Sequence, residues 1–223
     1  SALTPQSTNA YSFTTIANLP AEFGHVGSLA RFDVTAGKDD LYDLSLQEDG
    51  SIFAVGSAGG NPGDWVVLSV NPYGTLNPEF NSGEVFQFEV YGNDGGFAIT
   101  TQDDGKIVLG GTIHNGSNND FALVRLNADG SFDTSFSDDG KLIKNVQGTY
   151  DYLENVGVQA DGKILATGYV YEAGNSSPKS FAVLRYNTDG TLDTTFGSSG
   201  LVKTAVTSGQ DYGFGFAQQD NGK

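Results

Sequence analysis

The sequence predicts an all-β protein, a β-propeller built of four-stranded antiparallel blades of about 55–60 residues each. Three observations predict it. First, one turn recurs four times, as Gln47-Glu48-Asp49-Gly50-Ser51, Gln102-Asp103-Asp104-Gly105-Lys106, Gln159-Ala160-Asp161-Gly162-Lys163 and Gln219-Asp220-Asn221-Gly222-Lys223, at spacings of 55, 57 and 60 residues. Second, other landmarks keep the same register. An aspartate stands eight residues before each Gln, at Asp39, Asp94, Asp151 and Asp211. A Phe closes a turn at Phe23, Phe80, Phe136 and Phe196, and an aromatic opens an apolar run at Phe13, Trp65, Phe121 and Phe181. Third, no segment shows sustained apolar spacing at i, i+3, i+4 and i+7, so helix content should be close to nil.

One period shows the elements in order. Residues 97–102 read as a first strand, and Asp103-Asp104-Gly105 as a hairpin turn. Residues 106–111 form a second strand, apolar at its centre. A polar loop over 115–119 leads to a third strand at 121–126. Asn127-Ala128-Asp129-Gly130 turns the chain, and 141–146 supply a weaker fourth strand. The two apolar middle strands suit burial on both faces, and the polar fourth suits an outer rim. A β-helix would need a shorter period, and an α-solenoid would need helices. The blades fall at 39–93, 94–150 and 151–210. Residues 1–38 read as late strands of a further blade, with strands at 12–17 and 29–34. Residues 211–223 supply that blade's first strand, at 212–217.

The run Arg185-Tyr186-Asn187-Thr188-Asp189-Gly190-Thr191-Leu192-Asp193-Thr194-Thr195-Phe196-Gly197 resembles the bacterial delta-60 repeat, a β-propeller repeat of unknown function. So does Arg125-Leu126-Asn127-Ala128-Asp129-Gly130-Ser131-Phe132-Asp133-Thr134-Ser135-Phe136, with Gln-x-Asp-Gly-Lys-Ile downstream. The resemblance covers nearly the whole chain from about Ser12. An earlier copy, from Val70 to Phe80, lacks the Arg and both aspartates. The N-terminal Leu19-Pro20-Ala21-Glu22-Phe23 keeps only the end of the motif. The resemblance implies a secreted or surface-exposed bacterial propeller, and it carries over no catalytic residues.

Composition narrows the function. The net charge of −16 argues against nucleic acid and anionic membranes, and favours solubility and cation binding. No apolar run approaches a membrane span. Cysteine is absent, so neither disulfides nor thiol chemistry are available. No signal peptide is visible, and the start at Ser1-Ala2-Leu3 suits a processed mature chain, though a recombinant product would look the same. Catalysis has little support: His25 and His114 have no companion at metal-ligand spacing, and there is no Gly-x-Ser-x-Gly or phosphate loop.

Asp129, Asp133, Asp189 and Asp193 are the candidate metal ligands. They sit in Asn-x-Asp-Gly-x-x-Asp loops whose oxygens suit Ca2+, although the spacing falls short of a complete calcium loop. The same loops read as tight turns, because Asn, Asp and Gly accept the left-handed region. The four recurring aspartates are expected to accept hydrogen bonds from turn N–H groups, or else to ring a cation. The four recurring glutamines are expected to satisfy hydrogen bonds at the blade turn. Tyr150, Tyr152, Tyr169 and Tyr171 are read as packing residues, with stacking on sugars as the alternative.

The expected function is a non-enzymatic scaffold or self-assembling subunit, secreted or surface-exposed, whose complementary ends share one blade. The alternatives are a module that binds a glycan, a protein or calcium on the propeller face, and a glycan-degrading enzyme using paired acids. Closure within one chain gives four blades, exchange between two chains gives eight, and open contacts give a filament. The sequence would also suit a piece of a longer repeat protein.

Overall fold

The computed structural model describes residues 32–59, 63–146, 150–173 and 176–217. These form three four-stranded antiparallel sheets in succession, each a simple meander. Sheet 1 holds β1 (Asp40–Leu46), β2 (Ile52–Ala58), β3 (Asp64–Val70) and β4 (Phe86–Phe88). Sheet 2 holds β5 (Asn93–Thr101), β6 (Ile107–His114), β7 (Asn119–Leu126) and β8 (Lys141–Lys144). Sheet 3 holds β9 (Asp151–Val158), β10 (Ile164–Ala173), β11 (Ser176–Tyr186) and β12 (Leu201–Thr204). Among the described residues, helix is confined to a 3-10 turn at Asn81–Gly83.

The recurring turn joins the first two strands of each sheet. Gln102 N–H donates to Lys106 O and Gly105 N–H to Gln102 O, with Gly105 at φ 82°. The middle strands of sheets 1 and 2 are buried nearly throughout, and the short fourth strands β8 and β12 are half-exposed or exposed. Apolar side chains between successive sheets form two cores. Phe53, Val55, Trp65 and Val67 of sheet 1 meet Ile99, Leu109, Ile113 and Val124 of sheet 2. Val108, Phe121 and Leu123 of sheet 2 meet Leu153, Val156, Ile164, Ala182 and Leu184 of sheet 3.

Each first strand carries a bulge at the same place. The register slips between Leu41 and Asp43 in β1, and between Gly96 and Ala98 in β5. In β9 the slip falls opposite Thr167 and Gly168. The extra residue is therefore Tyr42, Phe97 or Glu154. Alternation has period two, so one extra residue puts positions three apart on one face. Leu153 and Val156 consequently enter the same core. Opposite each bulge lies Gly56, Gly111 or Gly168, where an added Cβ would overlap the carbonyl oxygen of Asp40, Gly95 or Tyr152. Glycine is needed there for close approach.

Five expectations need correction. β5 begins at Asn93 rather than at 97, because the Phe97 bulge breaks the alternation that would have extended the strand backwards. β7 begins at Asn119, and β8 stops at Lys144. The N-terminal strands at 12–17 and 29–31 lie outside the described residues, and 32–34 carry no strand. Residues 212–217 likewise carry no strand, since no second strand pairs with them among the described residues. They do lie where a following first strand belongs. A Cβ on Gly213 would come within 3.0 Å of Gly168 O and 3.3 Å of the Phe181 ring, and one on Gly157 would overlap the Phe216 ring. The fourth turn, at 219–223, lies outside the described residues.

Candidate functional site

The recurring aspartates cap the entry to each first strand. Asp94 Oδ2 accepts Val90 N–H at 2.7 Å and Tyr91 N–H at 3.0 Å. Asp39 Oδ2 takes Val34 and Thr35 N–H, Asp211 Oδ2 takes Val206 and Thr207 N–H, and Asp151 Oδ2 takes Val146 N–H. Each carboxylate folds the approaching chain back onto itself, the role expected from the sequence. The glutamines differ from expectation. Their main chains close the turn, but the side-chain oxygens of Gln102 and Gln159 are buried with no partner among the described residues. Among the described residues only Gln47 uses its amide locally, donating Nε2 to Ser45 O and Oγ. Gln219 lies outside the described residues.

The candidate metal ligands are engaged by the protein itself. Asp129 Oδ1 accepts from Ser131 N–H and hydroxyl, and Asp189 Oδ1 does the same with Thr191. The hydroxyl and amide of that partner hold both carboxyls below their usual range. Asp133 Oδ2 accepts from Arg125 Nε at 2.7 Å, and its Oδ1 takes the Ser135 amide and hydroxyl. Burial works against the Asp133 charge, but Ser135 and Arg125 outweigh it, so its pKa is lowered. Asp193 repeats the arrangement with Thr195, Lys163 and Arg185, which hold it well below the carboxylate range. Asp129 and Asp133 thus turn to separate donors, as do Asp189 and Asp193. Among the described residues no three His, Asp or Glu side chains gather as a metal would need.

Those pairs build a latch between sheets. Arg125 stacks on Phe136 at 4.7 Å and donates to Thr188 O in the next sheet. Phe136 packs on Gly190, where a Cβ would lie 3.0 Å from the ring, and Ser137 N–H donates to Asp189 O. Phe80 and Gly130 make the same contact one sheet earlier, with Asn81 N–H donating to Asp129 O. Gly130 and Gly190 sit at φ 89° and 88°, so glycine serves both the turn and the approach of the ring. Phe80 and Phe136 are therefore plugs that one repeat sends forward into the next.

Aromatic side chains gather at the aspartate end of the sheets. Tyr152 stacks on Tyr169 with centroids 5.0 Å apart, and Tyr171 lies 6.0 Å from both Tyr150 and Tyr152. Tyr212 meets Tyr169 edge-on at 5.0 Å and stacks on Phe214. The four tyrosines singled out in the sequence thus come together, joined by Tyr212. Lys179, which sequence reasoning passed over, sits among them with Nζ over three rings. Burial opposes its charge, but hydrogen bonds to Tyr171 and Tyr212 outweigh it and keep it an ammonium. Between sheets 2 and 3 a cleft of about 410 Å³ opens beside this cluster, lined by Asp94, Phe97, His114, Asn119, Tyr150 and Tyr152 among others. His114 ends β6 half-buried, its Nδ1 2.8 Å from Asn119 Oδ1. His25 lies outside the described residues.

A signal for the bulges was present in the sequence, in the glycine at the same place in each second strand. The cleft had none, because its walls come from different periods.

Two segments of the chain, residues 102–136 and 159–196, match the model of a family described as a domain of unknown function (DUF5122) beta-propeller. Each segment runs from the recurring Gln to the recurring Phe. No curated protein matches the chain.

Proposed function

We propose that the chain is a non-enzymatic β-propeller scaffold of the delta-60 type, secreted or displayed at a bacterial surface, which joins further copies of itself through its end faces. One observation carries this reading. Leu41 and Leu44 of β1 are 57% and 60% exposed. Their counterparts Leu153 and Val156 in β9 are 0% and 5% exposed, buried against the preceding sheet. The bulge aims Leu41 and Leu44 at the place where a preceding sheet would sit. The other end is complementary. Leu165, Phe181, Val183 and the plug Phe196 are half-buried on the far side of sheet 3. Arg185 is 21% exposed, whereas Arg125, latched to the next sheet, is 4% exposed.

A sheet of the same repeat fits either end, and a second copy supplies one. The contact is head-to-tail, so it closes into a ring or propagates. Strand sharing at the join would also pair the segment at 211–217, which forms no strand among the described residues.

Light scattering on size-exclusion fractions, followed by negative-stain imaging, tests the reading. The parent chain should form assemblies that grow with concentration. The double variant Leu41→Asp/Leu44→Asp should run as a monomer with an unchanged circular dichroism spectrum. A parent that stays monomeric at every concentration overturns the proposal.

A further inference from the structure

The repeat lets one part of the molecule be compared with another. In sheet 3, Tyr171 and Lys179 are cross-strand partners on β10 and β11. Lys179 Nζ lies 4.0, 4.4 and 4.9 Å from the ring centroids of Tyr212, Tyr171 and Tyr169, and donates to Tyr212 Oη at 2.8 Å. The residue is 5% exposed, so its ammonium is held in an aromatic cage. One repeat earlier the same cross-strand place is taken by His114 and Asn119. Tyr152 stands there where Tyr212 stands in the cage, since each directly follows a strand-entry aspartate, Asp151 or Asp211. Asn119 is too short to place a cation among the rings, and the cleft between sheets 2 and 3 opens at that spot.

The cleft also holds an unsatisfied anion. Asp94 is 8% exposed, and its Oδ1 is buried with no hydrogen-bond partner. Among the described residues no lysine or arginine lines the cleft, and Asp64 and Glu89 add negative potential around the carboxylate. A buried carboxylate of this kind calls for a cation. The aromatic walls suit an organic cation better than a metal, and too few acidic oxygens gather here for a metal.

We propose that the cleft between sheets 2 and 3 binds an alkylammonium group, a lysine side chain or a free organic amine, in the position that Lys179 fills one repeat later. Asp94 supplies the countercharge. Tyr150, Tyr152 and Phe97 supply apolar and π surface for the alkyl stem and the charged head, and His114 and Asn119 supply polar contacts at the mouth.

The full chain is titrated with butylammonium, with Nα-acetyl-lysine methylamide and with a short lysine-containing peptide, followed by NMR shifts or calorimetry. Butanol and methyl glucoside are the neutral controls. The amines should bind saturably and the controls should not. Asp94→Asn should weaken amine binding by about tenfold or more, because the charge pair is lost. Asn119→Lys should abolish it by filling the cage from within, with circular dichroism and melting midpoint retained. Tighter binding of the peptide than of butylammonium identifies a lysine of a partner protein as the source. Equal binding identifies a free amine. Butanol binding as well as butylammonium, binding of glucoside alone, or amine binding that survives both substitutions overturns the proposal.

Discussion

At the scale of single residues, the four strand-entry aspartates take the same kind of turn donors but differ in their wider surroundings. Asp39, Asp94, Asp151 and Asp211 were readable because a carboxylate that caps a turn finds its donors within five residues. What distinguishes Asp94 was not readable, because its surroundings come from another sheet. Burial is the largest influence on its carboxyl; the Tyr91 and Val90 amides oppose it, and Asp64 and Glu89 reinforce it, so the pKa is pushed up to about 6. An unfolded aspartate ionises near about 3.9. Between those values the folded chain keeps a proton that the unfolded chain has lost, so this residue's contribution to stability falls as pH rises from about 4 to about 6. His114, Tyr150 and Tyr152 face the same cleft. Asp94→Asn keeps an acceptor for the two amides and removes the charge. The variant should melt with the parent at pH 4 and above it at pH 7. A difference in midpoint that is constant with pH would show that Asp94 titrates normally.

At the scale of elements, twelve strands in three meanders follow from turn chemistry and apolar runs that a reader of the sequence can find. The bulges do not follow so easily, since an extra residue in β5 looks like lost alternation rather than like structure. Their physical trace is the glycine opposite each. Gly111→Ala should cost about 1–3 kcal/mol in urea denaturation, since its Cβ meets both the Gly95 carbonyl and the Trp65 ring, and overpacking in a filled core has that cost. Gly116→Ala in the open loop between β6 and β7 is the control for a glycine with free space, though its φ of 92° adds backbone strain. Equal losses at the two sites would mean that close approach at the bulge is unimportant. The Arg125–Asp133 latch was hidden for a different reason. Both residues were visible in the repeat, but Thr188, which accepts from Arg125, lies a whole period away.

At the scale of the molecule, stability should be distributed as in a stack. Among the described residues sheet 2 packs against a sheet on both faces, whereas sheets 1 and 3 each pack against one sheet only, with Phe32 set against Ala54, Leu68 and Val70 of sheet 1. Repeat proteins of this kind open from their ends, with stability set by nearest-neighbour interfaces. Amide hydrogen exchange under native conditions should therefore be slowest in β6 and β7, faster in β2 and β11, and fastest in β1 and β12. Uniform protection across the three sheets would contradict a stack and indicate one cooperative unit.

The forward-facing plug has a consequence for how such a chain can lengthen. Phe80 and Phe136 leave their own repeat and complete the next, whose glycine is the socket. Every period thus carries one plug and one socket of matching design. An in-frame duplication of a whole period inserts a new sheet whose plug and socket already suit both neighbours, and a deletion of one period rejoins compatible partners. Copy number is therefore free to drift without redesign of the plug and its socket, while a duplication that breaks the period between them leaves both unpaired.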